Sequence, residues 1–144
     1  MHYHAYEYRG PGEPATKAFD PTRTPGGAGF ESATTPPEGA SAWLLKPPRM
    51  IRGTWDDPTK PVEWLRERYA EIADSLMNPG LNTQAPGLET LADSALSNLV
   101  GGDDVVWARW LRGGSYACFA VICCPNRNGS APCPVGRAAA RSGV

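Results

Sequence analysis

Apolar and polar positions change rhythm along this chain, and three kinds of stretch carry a readable period. The strongest is Val105–Cys124, VVWARWLRGGSYACFAVICC, in which two apolar runs flank Gly113-Gly114. Glycine takes positive φ without a Cβ clash, so the pair suits a two-residue primed turn and predicts a β-hairpin. That turn would set Arg112 opposite Ser115, Trp107 opposite Ala120 and Val105 opposite Ile122. One face would then carry Val105, Trp107, Leu111, Tyr116, Ala120 and Ile122, and the other Val106, Trp110, Phe119 and Val121. Both faces are apolar, as in a sheet covered on one side and partly on the other. At the start of the chain His2–Arg9 alternates, with His2, His4, Tyr6 and Tyr8 on one face and Tyr3, Ala5 and Glu7 on the other. A lone strand is unstable in water, so this one is expected to join the hairpin in a sheet of at least three strands.

The period lengthens in the middle of the chain. Val62, Leu65, Tyr69, Ile72 and Leu76 recur at steps of three and four, which predicts a helix over Pro61–Met77. Asp56-Asp57-Pro58-Thr59 would start it, and Asn78-Pro79-Gly80 would stop it. A second helix is expected over Gly87–Val100, with Leu88, Leu91, Ala95 and Leu99 inward and Gly101-Gly102 as its stop. Between the first strand and these helices, Gly10–Ser41 shows no period. Phe19 and Phe30 stand alone there among Pro, Gly, Thr, Ala and Ser, and so little buryable surface does not offset ordering entropy. The short run Ala42–Lys46 fits either an edge strand or a turn of helix. The expected fold is a single α+β domain: a small, mainly antiparallel sheet of the N-terminal strand plus the Gly-Gly hairpin, with two helices packed on one face. In these terms residues 1–9 are the first strand, 10–41 a mobile insertion, 42–134 the main body and 135–144 a disordered tail.

Charge removes some function classes. Lys and Arg number 14 against 15 Asp and Glu in 144 residues, a net charge of −1 that makes no electrostatic case for nucleic acid or an acidic membrane as main partner. No apolar run is long enough to span a bilayer, and His2–Arg9 does not read as a secretory leader. A cytoplasmic location is therefore the expectation. There the four cysteines would be reduced, metal-bound or catalytic rather than paired.

Candidate chemistry gathers at the two ends. Cys124 and Cys133 flank a Pro-Asn-Arg-Asn-Gly turn, and His2 and His4 share a strand face. Two thiols and two imidazoles are the soft and borderline donors that zinc prefers in a tetrahedral shell. Eight residues separate these cysteines, wider than the two to four of finger and ribbon motifs. Two other readings stand beside the metal: small buried hydrophobes for Cys118, Cys123 and Cys124, and a Cys124–Cys133 disulfide. A thiol- or metal-dependent hydrolase would use Cys133 with His2 or His4 as base, the imidazole oriented by Asp103 or Asp104. No phosphate loop, nucleophile elbow or paired helical His motif is present, so no catalytic residue is assigned. Tyr6 and Tyr8, with Trp107 and Trp110, form a candidate aromatic binding patch of the kind that meets a protein partner. Trp107 and Trp110 also interleave with Arg109 and Arg112 as in single-strand nucleic-acid binders, but Trp at alternating strand positions is more often core.

The N-terminal MHYHAYEY and the WLRGGSY…VICCPNRNGSAPCP block together resemble a group of small uncharacterised actinobacterial proteins. These share a His-Tyr-His start and a Cys-Pro-Asn…Pro-Cys-Pro segment after a glycine-containing hairpin. The resemblance rests on His2, Tyr3, His4, Trp110, Leu111, Gly113, Gly114, Tyr116, Cys124, Pro125, Asn126, Pro132, Cys133 and Pro134. It covers about a third of the chain and implies a shared motif but no activity. The favoured expectation is thus a non-enzymatic interaction or accessory protein, its sheet end pinned by a zinc clasp of His2, His4, Cys124 and Cys133.

Overall fold

A computed structural model describes residues 1–77 and 87–135. Its elements in chain order are β1 (His2–Pro11), α1 (Gly12–Thr16), β2 (Gly53–Trp55), α2 (Thr59–Ile72), α3 (Leu88–Val100), β3 (Val105–Trp110) and β4 (Ser115–Cys124). The four strands form one antiparallel sheet in the order β2-β1-β4-β3. The N-terminal strand therefore lies in the middle of the sheet, paired with β4 along its whole length from His2↔Cys124 to Pro11↔Ser115.

The hairpin forms, but its register differs from the expectation by one residue. Three residues, Arg112–Gly114, make the connection, and Leu111 N donates to Ser115 O at 2.8 Å. Gly113 and Gly114 both have positive φ, at 79° and 78°, so glycine is needed where the sequence suggested. The extra loop residue sets Trp107 against Phe119, Val105 against Val121 and Trp110 against Tyr116. Phe119 and Val121 thus share a face with Trp107, while Ala120 and Ile122 face the other way. Both faces of the hairpin are apolar, so alternation alone leaves two registers with equally apolar faces. Packing partners decide between them.

On one face α2 and α3 cover Tyr3, Ala5, Val105, Trp107, Ala117, Phe119, Val121 and Cys123. Asp57 Oδ1 accepts from Thr59 N at 3.0 Å at the start of α2, and Val62, Leu65 and Ile72 turn inward. Trp64 joins them and meets Phe119 edge-on at 6.1 Å, while Tyr69 meets Trp107 at 6.0 Å. The stripe is therefore wider than the three-and-four pattern implied. α2 also stops earlier than expected. After a short 3-10 turn Leu76 bridges Leu111, and Met77 N donates to Trp110 O at 3.1 Å, so this segment extends the ladder instead of the helix. The proposed stop at Asn78-Pro79-Gly80 lies outside the described residues, as does the tail from residue 136.

The second face carries Tyr6, Ala120 and Ile122, packed under Trp43 and Leu44 of a 3-10 helix, Ala40–Leu45. Part of the stretch expected to be a mobile insertion also lies on this face. Ala15 of α1 packs on Tyr8 and Cys118, and Phe30 is buried. Polar fastenings stand in for the missing apolar side chains. Lys46 is fully buried; its Nζ donates to Phe30 O at 2.6 Å and Ala33 O at 2.8 Å, and lies 4.0 Å from the Phe30 ring centre. Arg23 likewise donates to Pro36 O at 2.8 Å and Lys17 O at 2.7 Å. A cation that gathers carbonyls from separate turns orders backbone where apolar burial is scarce.

Candidate metal centre

The pairing of β1 with β4 builds the site. His2 and His4 are two residues apart on one strand and share a face, and Cys124 lies directly opposite His2 on the neighbouring strand. Cys123 points to the other face, into the helix-covered core. Beyond Cys124 the chain turns and brings Cys133 back to the imidazoles. Asn126 holds that turn: its Nδ2 donates to both Asp104 carboxylate oxygens, at 2.8 and 3.0 Å, and its Oδ1 accepts from Asn128 N at 2.9 Å. Arg127 ties the same turn to Asp103 and, at 3.0 Å, to Gly101 O. A side chain at Gly129 would fall 2.7 Å from Ser41 Oγ, so glycine permits the close approach there. Pro134 is fully buried and seats the segment next to Cys133.

Cys133 Sγ lies 3.0 Å from His2 Nε2 and 3.5 Å from His4 Nε2. One donor atom from each of His2, His4, Cys124 and Cys133 lies within 4.8 Å of the other three, so the group could hold a metal ion. In a tetrahedral shell with bonds of about 2.0–2.3 Å the donor–donor edges are about 3.3–3.8 Å, inside the 4.8 Å that bounds this group. The imidazole rings stand edge to face with centres 4.7 Å apart, which lets both aim at one point.

The surroundings prepare these groups for a cation. His4 is buried, and its Nδ1 lies 2.8 Å from Thr54 Oγ1 on the edge strand β2. With the proton on Nδ1 and donated to that hydroxyl, the lone pair sits on Nε2, facing Cys133. This is the outer-shell contact that orients a metal-binding histidine. Burial, and secondarily His2, push the His4 pKa down to about 4, so the ring is neutral at ordinary pH. Burial, followed by the contact with Cys133, pushes the Cys124 thiol up to about 12. Without a cation Cys124 stays a thiol; a bound metal would hold it as the thiolate.

Other candidates fare differently. Tyr6, Tyr8 and Trp107 are buried, so they form no exposed aromatic patch; Trp110 remains 42% exposed. Tyr6 stacks on Trp43 at 5.0 Å, and the Trp107 ring, expected either in a patch or in the core, lies in the core. Asp103 and Asp104 do not orient an imidazole: Asp104 accepts from Cys123 N at 2.8 Å and from Asn126, and Asp103 pairs with Arg127. Among the described residues Thr54 is the partner that sequence reasoning missed. A three-residue strand is too short to show a period, and its neighbours Gly53 and Trp55 do not single it out. The four cysteines, all among the described residues, form no disulfide, and Cys118 is a small buried hydrophobe beside Tyr8.

No family model, curated protein or solved structure matches this chain. The chemistry of the site therefore rests on its own geometry. Among the described residues no helix is long and apolar enough to cross a membrane.

Proposed function

We propose that this chain is a cytoplasmic, non-enzymatic interaction domain whose sheet end is closed by a structural zinc ion. His2 and His4 would bind through Nε2, and Cys124 and Cys133 through Sγ. One observation supports the reading: two nitrogen and two sulfur donors lie within 4.8 Å of one another, as many as a closed tetrahedral shell would need. A closed shell serves structure, because catalytic zinc keeps a site open for the reacting molecule. Here it would join the first strand, the last strand and the returning C-terminal turn. Activity would then reside in a surface that meets a protein partner. Of the expected aromatic patch only Trp110 remains exposed among the described residues, with the exposed Val106 beside it on one face of β3.

Native mass spectrometry with metal analysis, with and without chelator, tests the clasp. The expected result is one zinc per chain, whose removal by chelator lowers the melting temperature. Freshly purified protein that carries no metal, and takes up none when zinc is added, overturns it.

A second reading, a small thiol hydrolase, draws on the 3.0 Å contact between the half-buried Cys133 and His2. An imidazole that activates a thiol cannot also be a zinc ligand. A Cys133→Ala variant separates the two readings: it loses zinc and stability under the first, but folds normally and loses ester turnover under the second.

A further inference from the structure

We infer that Cys124 and Cys133 form a peroxide-oxidisable pair whose disulfide would expel the metal and open the clasp. The inference rests on the zinc reading and adds a covalent modification to it. Three observations carry it. The two sulfurs lie within 4.8 Å on one side of a turn held by Asn126 and Asp104, so a side-chain rotation can bring them to bonding distance. Their exposure differs: Cys133 is half-buried and accessible, whereas Cys124 is buried. The other two cysteines are set apart, Cys123 on the opposite face of β4 and Cys118 six positions back along the same strand, in a separate apolar cluster.

The more accessible sulfur reacts first. Cys133 S⁻ attacks hydrogen peroxide; an S–O bond forms, the O–O bond breaks, and hydroxide leaves a sulfenic acid on Cys133. The Cys124 thiolate then attacks that sulfur; an S–S bond forms, the S–O bond breaks, and a second hydroxide leaves. The two thiolates give up two electrons in all, and one peroxide becomes two hydroxides. The metal keeps only His2 and His4, half of its shell and none of its thiolate charge, and dissociates. Cys124 ends β4 opposite His2, so what opens is the tie between the first strand and the C-terminal turn.

The test uses the full chain loaded with zinc and treated with a small excess of hydrogen peroxide. Zinc release is followed with a chromogenic chelator, and the covalent product by intact mass and peptide mapping. The expected result is equimolar zinc release and loss of two hydrogens per chain, a Cys124–Cys133 linked peptide, and recovery of zinc binding after dithiothreitol. Bound zinc that peroxide does not release, oxygen atoms added to Cys133 without a crosslink, or a crosslink through Cys118 or Cys123 overturns the inference and leaves the zinc clasp intact. A protein that never holds zinc overturns the proposed function, and with it the metal release, whatever its cysteines do.

Discussion

The two faces of the sheet are closed by different physical means. Toward α2 and α3 the interface is continuous apolar packing, with Trp64, Phe119, Trp107 and Leu99 meeting in one cluster. Each fully buried side chain of this size contributes about 1.5–3 kcal/mol, and no single contact dominates. Toward residues 12–51 and the turn at 125–133 the apolar clusters are smaller, and separate polar points tie the covering chain: Lys46 on two carbonyls, Arg23 on two more, and, for the turn, the His/Cys group that could hold a metal at the strand ends. A distributed interface tolerates small changes and fails as a whole. A pointwise one is expected to fail locally, at the fastening that is removed.

The largest expected effect comes from the distributed face. Phe119→Ala empties the centre of the helix-covered core and should cost about 3–5 kcal/mol in urea unfolding. A loss below about 1 kcal/mol would show that this face is not the main source of stability. Zinc removal comes next. A ligand bound only by the folded state, at a thousandfold excess over its Kd, stabilises by about 4 kcal/mol, so a chelator should lower the melting temperature accordingly. An unchanged melting curve would leave the second face without its metal fastening. The metal-free protein should also show a defined pH dependence. His4 has a folded pKa of about 4 against an ordinary 6.5, so the unfolded chain takes up the proton first as pH falls. Its contribution is complete above about pH 6.5 and is lost as the pH falls toward about 4, which melts across that window will reveal.

Smaller effects should be local. Lys46→Met leaves the carbonyls of Phe30 and Ala33 without their buried donor, at a cost of about 1–3 kcal/mol. Hydrogen exchange should rise around residues 24–46 while α2 and α3 keep their protection; a uniform rise would erase the contrast between the faces. Thr54→Val removes the acceptor behind His4 and should weaken zinc binding about 10- to 100-fold with little change in the metal-free fold. Competition against a zinc dye measures this directly.

Much of this contrast was legible in the chain itself. Alternation in His2–Arg9 assigns His4, Tyr6 and Tyr8 to one face and Tyr3 and Ala5 to the other, as they lie, because strand periodicity needs no partner. The three-and-four spacing from Val62 to Ile72, and that of Leu88 to Leu99, place both helices for the same local reason. The donor types of the site were also visible, since two thiols and two imidazoles near strand ends are uncommon enough to notice. Tertiary structure decided what depends on distant partners. The hairpin register turned on a third loop residue and on what packs against Phe119, and both faces were apolar enough to hide the slip. Residues 10–41 looked unable to order themselves because their fastenings are backbone carbonyls reached by Lys46 and Arg23, which leave no hydrophobic pattern. Tyr6, Tyr8 and Trp107 were covered by segments whose docking no local period announces. The four candidate donors meet only because β1 pairs with β4 and the 125–133 turn folds back, bringing residues from the two ends of the chain within 4.8 Å of one another. Local periodicity is a property of neighbouring residues; register, coverage and convergence belong to pairs far apart in sequence, and only the folded chain brings those pairs together.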